Sequence, residues 1–314
     1  MPNRFSRLGY ACVLIAVGVT ALGAQAPAAQ APTSPDAEAL RAGQQLMRDG
    51  KADEALASYL KAAETFPASA TVQIRIGVQF DLMGRYAEAR TRFAKALGME
   101  LTPALEAQAL RAMAMAFAFE SNCKGAIPYE QRLYERYLTK DKDFFQAGEI
   151  ANELARVCLE SGDFDTAATW YKRGYDAGLQ QPDIPTARKD LWQFRWHHAQ
   201  ARLAARRGQP AEAQKQIAAA KAVLDTGTNP EQAPFFPYLV GYVAFYAGDY
   251  KTALAELMKG NQSDAFVLSL IAQSHEKLGD SAAATEFYKK VMTITSHNPN
   301  SAFARPLARK KLGL

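Results

Sequence analysis

Residues 36–67 read DAEALRAGQQLMRDGKADEALASYLKAAETFP, and residues 70–101 read ATVQIRIGVQFDLMGRYAEARTRFAKALGMEL. Laid over one another without gaps, they pair Gly43 with Gly77, Gly50 with Gly84, Ala55 with Ala89, Tyr59 with Phe93 and Ala62 with Ala96, always 34 residues apart. Helix axes approach closely only where side chains are small, and large side chains nearby then fill the grooves. Small residues and one ring recurring at a fixed period of this length mark stacked repeats, each burying its apolar face on the next.

The Ala that opens the second helix of each unit extends the pattern. It recurs at Ala55, Ala89, Ala126, Ala167, Ala213, Ala253 and Ala284, at intervals of 34, 37, 41, 46, 40 and 31 residues. A turn glycine precedes most of these anchors, at Gly162, Gly208, Gly248 and Gly279 in the later units, and Tyr171 and Tyr288 repeat the ring. Unit three is the weakest, with a turn SNCKG, Pro128 in the first turn of its second helix and Glu130 in place of the aromatic. Unit five puts Ile217 at the same site.

The segments GKADEALASYLKA and GRYAEARTRFAKA resemble the tetratricopeptide (TPR) repeat, with Pro67 closing the first unit and Leu101 standing at the matching site of the second. The resemblance implies two antiparallel helices, A and B, per unit. It implies an all-α fold, a right-handed superhelical solenoid of about seven helix pairs plus a C-terminal capping helix, forming a single domain over residues 36–314. The interruptions at 138–143, 178–187 and 226–234 read as long inter-repeat turns. Ser34 is expected to cap the first helix with Pro35 in its first turn. Asn300 or Ser301 is expected to cap the last one, whose Arg309, Lys310 and Lys311 suit a helix C-terminus and solvate the end of the solenoid.

The N-terminal stretch has a different character. Residues 1–7 are short and basic, residues 8–24 are uncharged and mostly apolar, and residues 25–35 are rich in Ala, Pro and Gln. This order predicts a secretory signal peptide over residues 1–24, cut after Gly23 or Ala24, followed by a solvated linker. The alternative is an uncleaved anchor in the inner membrane, for which the apolar run is slightly short. Cys12 lacks the surroundings of a lipoprotein site. The expected location is periplasmic or secreted. The chain carries 37 basic and 32 acidic residues; without Arg4 and Arg7 the balance is +3, too mild to argue for nucleic acid.

No catalytic arrangement stands out. There is no Gly-rich phosphate loop, no HExxH and no GxSxG. His197 and His198 are adjacent, so on a helix they point about 100° apart and chelate one ion poorly. Asp141, Asp143, Asp163 and Asp165 lie in turns, where acids cap helices. The reading is of a non-enzyme without cofactor or metal. Cys123 and Cys158 are the cysteines left after export; they are candidates for a disulfide, the alternative being a buried thiol at Cys158 with Cys123 merely nearby.

In TPR proteins the A helices line a concave groove that takes an extended peptide or a partner helix. The resemblance therefore places the fifth, ninth and twelfth residues of each unit on the inner face. The Lys/Asn clamp with which some TPR co-chaperones hold a C-terminal carboxylate is absent from units one and two. Their inner stripes are mostly aliphatic: Leu40, Gln44 and Met47, then Ile74, Val78 and Asp81. Further along, Asn152, Arg156, His198, Arg202, Tyr238, Tyr242 and Phe245 form a candidate partner-binding patch, rich in the residue types that dominate binding hot spots. The alternative for Tyr238, Tyr242 and Phe245 is core filling, because an aromatic stripe at helical spacing also plugs a solenoid. The functional expectation is a protein-binding adaptor or assembly scaffold of the cell envelope. A glycan- or peptidoglycan-binding module using the aromatics of unit six is the alternative, with an enzyme accessory subunit or a cryptic enzyme as a third class.

Overall fold

Fifteen α-helices and no strand make up residues 34–314, the residues described by the computed structural model. The expected export segment and residues 25–33 of the linker lie outside them. Seven pairs follow in order: α1 (Pro35–Arg48) with α2 (Ala52–Thr65), α3 (Ala70–Leu82) with α4 (Tyr86–Leu97), α5 (Pro103–Ala118) with α6 (Cys123–Arg136), and α7 (Phe144–Glu160) with α8 (Phe164–Leu179). Then come α9 (Thr186–Arg206) with α10 (Pro210–Leu224), α11 (Phe236–Tyr246) with α12 (Tyr250–Leu257), and α13 (Ala265–Lys277) with α14 (Ser281–Thr293). The last helix is α15 (Pro299–Leu312). Each pair also packs on the next, so the fold is an all-α solenoid.

Each A-to-B turn passes through one left-handed residue. It is glycine in six units, with φ +84° at Gly84 and +87° at Gly162, while in unit three Ser121 adopts φ 52°. That explains why unit three lacks the turn glycine without losing the turn, at the steric cost that a side chain brings to this region. Beside the turn, Asn122, Asp163, Asp249 and Asp280 cap their B helices, each accepting from the backbone N–H three residues on. Asp143 caps α7 in the same way, whereas Asp141 pairs with Arg136 and Asp165 with Arg207. Ser34 makes no cap hydrogen bond; Asp36 instead accepts from the Ala37 N–H at 2.9 Å and the Ser69 hydroxyl at 2.6 Å.

Within the pairs, the ring of Phe93 lies so close to Gly77 that a Cβ there would sit 2.4 Å from Cε1, and Tyr59 meets Gly43 likewise. The anchors Ala55, Ala89, Ala126, Ala167, Ala213 and Ala253 are wholly buried. The long interval before unit five is absorbed partly by length: α9 has 21 residues against 13 in α3, about two more turns. A π-helical turn (Tyr137–Asp141) and a 3-10 turn (Pro230–Phe235) occupy two of the expected inter-repeat turns. A disulfide joins Cys123, at the start of α6, to Cys158 on α7, with their Cα atoms 4.7 Å apart.

Helix α15 closes the last pair by packing on α13 and α14, and it also packs on α5 and α7. It starts at Pro299 under an Asn298 cap, earlier than Asn300 or Ser301 would place it. Its contacts run far back along the chain. Arg305 donates to the carbonyls of Leu82 at 2.8 Å, Met292 at 3.0 Å and Ile294 at 2.7 Å. His297, just before the helix, meets Asp81 at 2.8 Å and stacks on Phe119. Ala302 is part of the core that α5 to α9 share. The segment therefore does more than solvate an end: it lies against A helices from units two, three, four and seven.

Candidate functional site

The segment at 295–300 divides the face lined by the A helices into two chambers, with Asn298 on the wall of both. The first, of about 590 Å³, is bounded by α3 and α5 through Ile74, Arg75, Val78, Arg111 and Met115. The second, of about 470 Å³, is bounded by α7, α9, α11 and the start of α13.

Five nominated residues meet at the second chamber: Asn152 and Arg156 of α7, His198 and Arg202 of α9, and Tyr238 of α11. Two of these helices contribute a pair four residues apart, one above the other on one helical face. Arg156 donates to the Tyr238 hydroxyl at 3.2 Å. Its guanidinium lies 5.6 Å from the Phe266 ring and 5.5 Å from that of Phe303, which α15 supplies. Arg202 is only 7% exposed and sits 5.6 Å from the Tyr171 ring; its one hydrogen bond is a long 3.4 Å contact from Nε to the His198 carbonyl.

Among the described residues neither Arg156 nor Arg202 has a carboxylate partner, unlike the cations around them. Arg195 pairs with Glu149, Arg111 with Glu153, and Arg206 with Glu160. Burial, and then the charges of Arg202 and Arg156, hold the His198 imidazole well below its ordinary pKa, so it is neutral at pH 7. Burial likewise pushes the Tyr171 and Tyr238 hydroxyls up, keeping both protonated. The buried His198 Nε2, Tyr171 Oη and Arg156 Nε have no hydrogen-bond partner. The chamber wall thus carries Arg156 and Arg202 without carboxylate partners and several neutral polar groups, with Asp264 at its far side held by the N-terminus of α13; the two guanidiniums are suited to holding an anion.

Two nominated residues stand elsewhere. Tyr242 lies one turn further along α11, where its ring is wholly buried and its hydroxyl donates to Glu160 at 2.8 Å. Phe245 is half-buried, edge-on to Tyr246 and Tyr250. Both belong to, or pack against, the core between α11, α12 and α13. Buried Tyr238 belongs to this core as well, while Glu160 and Arg206 cover the turn of α11 that carries Tyr242 and Tyr246.

Tyr171, Phe235 and Asn300 also line the chamber and were not nominated. Tyr171 occupies the packing position that Phe93 fills with no hydroxyl, and its 2% exposure leaves that hydroxyl inside; the extra oxygen was the available signal. Phe235 and Asn300 come from irregular segments for which the repeat offers no register. Among the described residues, no cluster of three His, Cys, Asp or Glu side chains is placed to hold a metal, and no helix is long and apolar enough to cross a membrane. His197 is bonded to Gln216 at 2.7 Å, and His275 lies 3.4 Å from Asp280.

Residues 131–182 and 267–298 match tetratricopeptide-repeat family models. No curated protein matches the sequence significantly. Among solved structures, a tetratricopeptide repeat protein from Parabacteroides merdae superposes with a TM-score of 0.50 at 13% identity, over 88% of this chain and 97% of that one. A structure of Pseudomonas aeruginosa pilF gives 0.44 at 16% identity, over 81% and 96%. A Rap protein complexed with competence and sporulation factor gives 0.46 at 15%, over 85% and 78%. The seven helix pairs and the likeness to the first of these structures show an α-solenoid with the TPR-like fold, and two of its segments match models of that repeat.

Proposed function

We propose that the chain is a non-catalytic protein-binding adaptor or assembly scaffold of the cell envelope, and that an acidic segment of its partner reaches into the chamber of repeats four to seven. The observation that carries this reading is the pair Arg156 and Arg202, brought together on that chamber's wall without carboxylate partners. TPR repeats in general mediate protein–protein contacts, and the step from fold to binding is an analogy that the unpaired arginines support locally. The envelope address rests on the basic, apolar and small-residue order of residues 1–24. The adaptor reading is preferred to the glycan alternative because Tyr242 is wholly buried and Phe245 packs edge-on among other rings, which leaves fewer of the unit-six aromatics for a sugar to stack on.

The test is partner capture from an envelope extract. The bait is the chain from Gln25, beside an Arg156→Gln, Arg202→Gln double variant that still melts cooperatively. The reading expects a protein retained by the native bait and lost with the variant. Equal retention by both baits, or retention of nothing by either, contradicts it.

A further inference from the structure

The second chamber is larger than an ion and smaller than a whole helix, so only an extended tip or a side chain of a partner enters it. Its volume, about 470 Å³, falls within the roughly 300–1,000 Å³ of small-molecule sites. A helix with its side chains is about 10–12 Å across, too wide for such a space among packed helices. Helices α7, α8, α9, α11 and α13 wall it, and the segment 298–300 crosses one side.

Two of the cations inside are not neutralised by the acids around them. Arg156 and Arg202 lack carboxylates, while Glu149 and Glu153 are already paired with Arg195 and Arg111. Asp264 accepts from the backbone N–H groups of Phe266 at 2.8 Å and Val267 at 3.2 Å and from the Asn300 amide. That arrangement closes the N-terminus of α13 to an outside anion, so no helix terminus is free there to cradle a phosphate. What remains is two planar guanidinium forks, which fit a carboxylate or a phosphate oxygen pair, and without a helix terminus to share the charge the singly charged carboxylate is the better match. Beside them are the partnerless Tyr171 Oη, His198 Nε2 and Asn300 Oδ1, and the ring of Phe235, 49% exposed; Tyr238 is buried, with its ring stacked on His198 at 5.7 Å.

We propose that this chamber is a binding site for a free small organic acid. Its carboxylate is held by Arg156 and Arg202 with the Tyr171 hydroxyl, an amide or similar polar group meets Asn152 and Asn300, and a flat apolar body rests on Phe235. The proposal builds on the same cavity as the adaptor reading and goes beyond it, because the acid binds with no protein attached and competes with any partner segment that enters.

The test is calorimetric titration of the chain from Gln25 with N-acetylphenylalanine, which carries a carboxylate, an amide and a ring. Its uncharged amide and inorganic phosphate are the comparison ligands. The acid is expected to bind once per chain, the amide at least tenfold more weakly, and phosphate to leave the acid's affinity unchanged. Arg202→Gln should weaken the acid at least tenfold. Tyr171→Phe, which keeps the packing ring, should weaken it several-fold with an unaltered melting transition. Equal affinity for acid and amide, no binding of the acid to the folded chain, or competition by phosphate overturns the proposal. If the acid fails while protein capture still depends on the two arginines, the free-ligand proposal falls and the adaptor reading stands.

Discussion

Repeats one and two obey the same packing rule as repeats four to six, and the two regions differ in what they bury. In the first region, Tyr59 and Phe93 close on Gly43 and Gly77, and the inner stripe presents Ile74 and Val78. In the second, the A helices vary from 21 residues in α9 and 17 in α7 to 11 in α11, and the inner stripe carries Arg156, His198 and Arg202. A regular period brings tight apolar contacts that stabilise the solenoid. Repeat two also buries Gln73, Gln79 and Asp81; what sets the later repeats apart is two arginines facing one chamber with no carboxylate partner, and natural folds keep such groups mainly where a site needs them.

The sharpest way to break this comparison is to damage the regular region. Phe93→Ala empties a wholly buried ring site and is expected to lower stability by about 3–5 kcal/mol, measured by urea unfolding. The seam between the regions comes next. Serine at Cys158 removes the bridge to Cys123, which closes a loop with a sequence separation of 35, and the expected loss is about 3–4 kcal/mol. Two thiols titrating freely in the unfolded, unreduced chain contradict that bridge.

Glu130 sharpens the contrast with the opposite sign. It stands where repeats one and two carry a ring, is fully buried, and has neither carboxylate oxygen paired. Burial, then the neighbouring charge of Glu153, raises its pKa well above 4.5. The folded chain therefore holds the proton more tightly than the unfolded one, so stability falls as pH rises from about 4.5 towards the raised value. Glu130→Gln is expected to be the more stable form at pH 7, by about 1–2 kcal/mol, and to match the native chain below pH 4.5. Paired melts at the two pH values check this. The smallest effect belongs to the exposed pair Lys172–Asp176 on α8; Lys172→Ala should shift stability by less than about 0.5 kcal/mol.

The sequence made the repeats legible because small-to-large contacts leave an imprint at fixed spacing. All seven Ala anchors fall in the B helices, and the glycine turns adopt the left-handed backbone they imply. Five of the seven candidate site residues share one chamber for the same reason, since an i, i+4 stripe on an A helix must face inward. Tyr242 and Phe245 obey the stripe too, but the stripe does not say which turn of α11 the Glu160–Arg206 pair covers. The return of residues 295–312 onto α5 and α7 was not legible. It depends on contacts such as Arg305 to Leu82, 223 residues apart, which no local period encodes.

The central claim is that Arg202 is held in the chamber for a ligand and not for the fold. Arg202→Met keeps most of the side-chain volume and removes the buried charge. In urea unfolding without ligand, the account predicts stability unchanged or raised by about 1–2 kcal/mol, together with lost capture of an acidic partner. A loss of more than about 2–3 kcal/mol, the size expected when a structural charged hydrogen-bonding group is removed, would make the guanidinium part of the scaffold and contradict the claim.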